Sequence, residues 1–113
     1  MWIDRQEQLE QLVESIAPNE IWIDTEYDNQ RYFSPRLALV QVAWSDGAVV
    51  IDPLEVDLAA LNGWGGRWFS HDGTHDWLLV EQAGWKPSDE CLDTQIAARL
   101  LGYDRFGLAA LAE

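Results

Sequence analysis

The sequence is short of the residues that build several common kinds of site. Cys91 is its only cysteine and Lys86 its only lysine among 113 residues. A single cysteine excludes an internal disulfide, a cysteine-rich zinc site and a Cys-x-x-Cys redox pair, so Cys91 reads as a small hydrophobe. No apolar run reaches the roughly 20 residues needed to cross a bilayer. Asp4, Arg5, Gln6 and Glu7 stand where a signal peptide would turn apolar, and the chain is expected to be cytoplasmic, with no membrane partner. Positive charge is scarce as well: seven Lys and Arg face twenty Asp and Glu, for a formal net charge of −13 at pH 7. Polyanions gain affinity by releasing counterions to clustered basic side chains. Here Arg5, Arg31, Arg36, Arg67, Arg99 and Arg105 are scattered, which implies weak nonspecific phosphate binding. Most of the acid excess reads as a surface adaptation for solubility, with a few carboxylates left to hold cations.

What is present suits one small folded domain. Hydrophobic residues make up 48% of the chain, and seven Trp run from Trp2 to Trp85, which is enough large apolar surface for a single core. Leu9, Leu12, Val13 and Ile16 recur at helical spacing between Asp4, a candidate cap, and Pro18. Ile21 to Ile23 is a short apolar run that ends abruptly in Asp24, Thr25 and Glu26, as a buried strand does where it emerges at a cleft. Leu37–Trp44 and Ala48–Ile51, separated by Ser45-Asp46-Gly47, predict a hairpin. A short helix is expected over Val56–Leu61, a tight loop over Gly63, Gly65 and Gly66, and a short strand over Trp68–Ser70. A helix carrying Leu78, Leu79 and Ala83 should follow and stop at Gly84. Asp93 opens a further helix through Ile96, Ala97, Leu100 and Leu101, and another is expected from Leu108 to Leu111. The order implies an α/β domain with a mixed sheet flanked by helices, whose site forms beyond the carboxyl ends of strands.

Asp24 and Glu26 stand two apart in an extended run, so strand alternation points both carboxylates to one face and Thr25 away. Two facing carboxylates repel unless a hard divalent cation such as Mg²⁺ or Mn²⁺ lies between them. The plainer reading is two solvated acids where a strand meets a loop. Asp76 falls in the first turn of a helix, where the dipole favours an acid with or without function. Order raises the functional reading. Trp-Ile-Asp-Thr-Glu-Tyr is followed by Pro-Arg-Leu-Ala-Leu-Val-Gln-Val and Ile-Asp-Pro-Leu, then by His-x-Gly-x-x-Asp and Leu-Asp-Thr-Gln-Ile-Ala-Ala-Arg-Leu-Leu-Gly.

That series resembles the ribonuclease D family of DEDD-type 3′-5′ exonucleases over roughly residues 20 to 113. The resemblance implies a ribonuclease H-like fold and two divalent metal ions, Mg²⁺ or Mn²⁺. It also implies hydrolysis at the 3′ end of single-stranded RNA, in tRNA or stable RNA processing, with DNA as another substrate. On it, Asp24 and Glu26 match the first exonuclease motif and Asp76 the acid of the second, these three carboxylates being the implied catalytic metal ligands, and Asp93 supports the site as a helix cap. Tyr27 is the aromatic expected to face substrate. His71 is a secondary substrate candidate whose plainer reading is structural, as is that of His75. Trp22 and Trp77 flank the candidates and read first as core. The family's third motif, Tyr-x-x-x-Asp, does not occur in these residues, and Tyr103 and Asp104 cannot replace it because they are adjacent. Residues 1–113 are thus expected to form one C-terminally incomplete exonuclease domain, completed by a missing C-terminal segment or a partner chain. The competing expectation is a catalytically inactive nucleic-acid-binding or protein-interaction module of the same fold.

Overall fold

A computed structural model describes residues 1–28, 36–71 and 73–102. The helix expected from Leu108 and the Tyr103-Asp104 pair lie outside these residues. Strands β1 (Trp2–Ile3), β2 (Glu20–Asp28), β3 (Arg36–Trp44), β4 (Gly47–Ile51), β5 (Arg67–Ser70) and β6 (Cys91–Asp93) form one sheet in the order β1-β4-β3-β2-β5-β6. Strands β2, β3 and β4 are antiparallel neighbours, whereas β1 joins β4, β5 joins β2 and β6 joins β5 in parallel. Helices α1 (Gln6–Ser15), α2 (Thr74–Gln82) and α3 (Thr94–Leu100) lie between and after the strands, with a 3-10 turn at Leu58–Leu61. This is the mixed α/β sheet that the sequence predicts.

The register sorts the side chains onto two faces. Ile23 opposes Val42, Thr25 opposes Val40, Val40 opposes Ile51, and Ile51 opposes Ile3. All of these are buried, and they join Leu9, Leu12, Leu58, Leu61, Leu79 and Val80 in one core. The intervening residues point the other way. Trp22 opposes Ala43 and Phe69, Phe69 opposes Leu92, and Trp2 opposes Val50. On this open face Trp2, Trp22 and Leu92 remain about half exposed. Trp68 and Trp85 close the β5 end of the core with rings 4.6 Å apart.

Several local expectations need correction. Asp4 does not cap α1. Gln8 reaches back instead, its Oε1 accepting from the N–H groups of Asp4 and Arg5 at 3.1 Å each, which satisfies donors the helix start would leave open. Strand β2 runs on past the acidic pair to Asp28, because β3 continues beside it and supplies hydrogen bonds past the apolar segment. Helix α2 carries Leu78 and Leu79 as expected, Leu78 exposed and Leu79 buried together with Asp76 and Val80. Strands β1 and β6 go unpredicted, since runs of two and three residues carry too little pattern to detect. The loop before β5 does need its glycines. Gly66 has φ +62, and a Cβ there would sit 2.1 Å from the Asn19 carbonyl oxygen.

Candidate active site

The site begins at the carboxyl half of β2. Strand alternation carries Asp24 and Glu26 to the open face beside Trp22 and turns Thr25 into the core. Both carboxylates are exposed. Their Cα atoms are set about 7 Å apart by two strand steps, within reach of a shared cation. Past Glu26 the register slips. Tyr27 opposes Leu37 while Glu26 opposes Leu39, so Ala38 is the extra residue of a bulge. A bulge bends a strand and re-aims its side chains, and Tyr27 leaves the strand exposed, its ring 4.7 Å from that of His75.

Asp76 is the third residue of α2 and only 8% exposed. Its Oδ1 accepts a hydrogen bond from the Thr25 hydroxyl, and its place in the first helical turn adds the favourable dipole. Asp76 is therefore docked on β2 through the residue between Asp24 and Glu26. The structure brings Asp24 and Glu26 together on the open face and holds Asp76 against the same strand through the inward-facing Thr25. Among the described residues, no three His, Cys, Asp or Glu side chains are grouped so as to hold a metal ion.

Ser70, at the end of β5, lies fully buried beneath these elements. Its hydroxyl donates to the Ile23 carbonyl at 2.9 Å and accepts from the Trp77 indole N–H at 3.0 Å. Asp93 caps α3, its Oδ1 accepting from the N–H groups of Gln95 and Ile96, while its Oδ2 accepts from the N–H of Gly73 at 2.9 Å. The capping role expected of Asp93 is observed, with a second bond that the sequence does not reveal. Thr94 Oγ1 donates to the Ser70 carbonyl and lies 2.8 Å from His71 Nδ1. His71 Nε2 is buried without a hydrogen-bond partner among the described residues. His71 thus ties β5 to α3, and His75 is exposed.

Trp22 stacks on Phe69 at 5.1 Å with an interplanar angle of 25° and stays 48% exposed. Trp77 is partly buried and packs against the core. Trp22, Asp24, Gln41, Val50, Ser70 and His71 line a groove of about 570 Å³ on the open face. The residues that sequence reasoning passes over are Thr25 and Ser70. Their signal is faint: each is a lone hydroxyl in an otherwise apolar, inward-facing row of a strand.

As donors, the exposed carboxylates of Asp24 and Glu26 fit a hard divalent cation. Mg²⁺ is commonly held by one or two carboxylates, with waters and substrate phosphate oxygens completing the shell.

Comparison with known proteins agrees with this architecture. A family model described as 3′-5′ exonuclease matches residues 1–113. The chain is 30% identical over 109 residues to ribonuclease D of Xanthomonas oryzae pv. oryzae, an alignment covering 89% of this chain and 29% of that protein. It superposes on Escherichia coli RNase D, an exoribonuclease involved in structured RNA processing, with a TM-score of 0.87 and 28% identity, covering 100% of this chain and 32% of the other. Brucella melitensis NrnC, solved with bound Mg²⁺, matches with a TM-score of 0.62 and 25% identity over 84% of this chain and 52% of the other. The chain therefore spans about a third of the length of the ribonuclease D proteins that it matches.

Proposed function

The chain belongs to the 3′-5′ exonuclease family, and from that membership we propose that it is the motif-bearing part of a metal-dependent 3′-5′ exonuclease domain acting on RNA 3′ ends. The observation that carries this reading is the exposed pair Asp24 and Glu26 on β2, with Asp76 docked on the same strand by Thr25. In this proposal Asp24, Glu26 and, from the start of α2, Asp76 hold the divalent ions, two of them and Mg²⁺ or Mn²⁺ by chemistry. Such ions supply a nucleophile at neutral pH and neutralise the charge of the phosphate under attack. The carboxylates do not attack; they fix where the phosphate can sit. Tyr27, exposed beside Glu26 and steadied by His75, is placed to meet the terminal nucleotide, for base stacking suits an exposed aromatic. His71, which lines the groove, is the secondary substrate contact. Residues 1–113 form one partial domain, and the remaining ligand comes from a further segment or a partner chain. Single-stranded RNA of the tRNA or stable RNA kind is the proposed substrate and the cytoplasm the proposed location. No helix among the described residues is long and apolar enough to cross a membrane.

A second reading, a binding or scaffolding module without catalysis, is favoured by the absence of any three-residue metal cluster among the described residues. Digestion of 5′-labelled single-stranded RNA with Mn²⁺ separates the two. A ladder shortening from the 3′ end, lost in Asp24→Asn, is expected. Binding of the labelled strand without shortening, equal in both proteins, would favour the module, and a parallel single-stranded DNA digest reads the substrate class.

A further inference from the structure

Resting on the exonuclease reading above, we propose that Ser70 and Trp77 are positioning residues that set the two acidic motifs against each other. Asp24 lies between two residues of β2 that are both tied to α2. On one side, Thr25 donates to Asp76. On the other, the Ile23 carbonyl accepts from Ser70 Oγ at 2.9 Å, and that oxygen accepts from Trp77 Nε1 at 3.0 Å. Ile23 immediately precedes Asp24, and Trp77 immediately follows Asp76. The two links form a clamp, and the Asp24 backbone is the segment held between its jaws.

The clamp is specific to a hydroxyl. A Ser donates one proton and accepts on its lone pairs, which is what a carbonyl on one side and an indole N–H on the other require. Ser70 is fully buried, so no water replaces it cheaply. The surrounding geometry leaves little slack. A Cβ on Gly73 would lie 2.2 Å from Ser70 Cβ, which shows how closely the start of α2 approaches β5. Asp93 Oδ2 fixes Gly73 from the other side, and Thr94 holds the Ser70 carbonyl. Groups that orient ligands from outside the coordination shell typically change metal affinity about 10–100-fold when removed.

The test is Mn²⁺ titration by calorimetry on the parent chain, Asp24→Asn, Ser70→Ala and Trp77→Phe, at a temperature where melting curves show all four folded. Ser70→Ala is expected to weaken Mn²⁺ binding about tenfold, at the low end of that range. Trp77→Phe, which removes the indole donor with its five-membered ring and keeps a six-membered apolar ring, should weaken it less but in the same direction. A merely structural role would lower the melting temperature and leave the affinity unchanged. Should Ser70→Ala fail to fold, Trp77→Phe decides alone. Binding that depends on Asp24 but is equal in parent, Ser70→Ala and Trp77→Phe overturns the clamp and spares the metal site. Absence of Mn²⁺ binding in the parent overturns both.

Discussion

Cys91 illustrates how a local setting decides a side chain's chemistry. Burial pushes its thiol above the ordinary value, and the negative charge of Asp89 pushes it further the same way. The thiol proton is also engaged, since Sγ donates to the Ser88 carbonyl at 3.1 Å. Because only the thiolate reacts, iodoacetamide at pH 7.5 should label the native protein far more slowly than the urea-unfolded chain. Asp89→Asn should move the labelling profile toward lower pH, but only in part, because burial is the larger cause. The linkage has a definite sign. With the folded value above the unfolded one, this group's contribution to stability is complete below the ordinary thiol value of 9.0 and is lost as pH rises through the folded value. At the same scale, the placing of Asp24 and Glu26 on one face was legible from their spacing, since alternation follows from the backbone. The partner of Asp76 was not, because Thr25 meets α2 only after the chain has folded back across 51 positions, and Ser70 likewise meets Ile23 only across 47.

Helix α1 shows what a single element needs beyond its own pattern. Its apolar face, Leu9 and Leu12, is buried, but its start is held by an exchange with the segment leading into the 3-10 turn. Gln6 Oε1 accepts from the Asp57 N–H at 2.7 Å, and Gln6 Nε2 donates to the Asp57 carbonyl at 3.3 Å. At the other end the Trp64 indole donates to the Ile16 carbonyl at 2.7 Å. Gln6→Ala removes two hydrogen bonds at an exposed site, and chemical denaturation should show a loss of about 1–2 kcal/mol, at roughly 0.5–1.5 kcal/mol per bond. Elements with a repeating apolar pattern were readable: α1, the β3–β4 hairpin and β5 lie where the sequence puts them, within a residue or two. The ends were less so, because Gln8 displaced Asp4 at the helix start and β3 extended β2 beyond its apolar core. Strands β1 and β6 had no signal of their own; a neighbour's unpaired edge makes them strands.

For the molecule as a whole, the net charge of −13 is the dominant long-range term. The described ion pairs, Arg5 with Glu7 and Arg67 with Glu20 and Glu90, are all solvent-exposed and contribute little. Self-repulsion among like charges opposes compactness and is screened within about 10 Å at 0.1 M salt. The melting temperature should therefore rise with NaCl, by roughly 4–8 °C for each kcal/mol regained in a domain of this size; a flat or falling profile between low and high salt would refute this. The same repulsion makes nonspecific affinity for nucleic acid weak, so under the proposed function recognition of an RNA strand rests on the groove and the ions it would hold. The sheet order carries one more consequence, for the timing of synthesis. Strands β3 and β4 are neighbours in sequence and can pair in about 1–10 μs. Trp2, however, waits for Val50, and Trp22 waits for Phe69. At ~5–20 residues per second on the ribosome, each wait lasts on the order of several seconds. The strand bearing Asp24 and Glu26 therefore spends that interval with its Glu20–Trp22 edge unpaired, until β5 has emerged to pair with it.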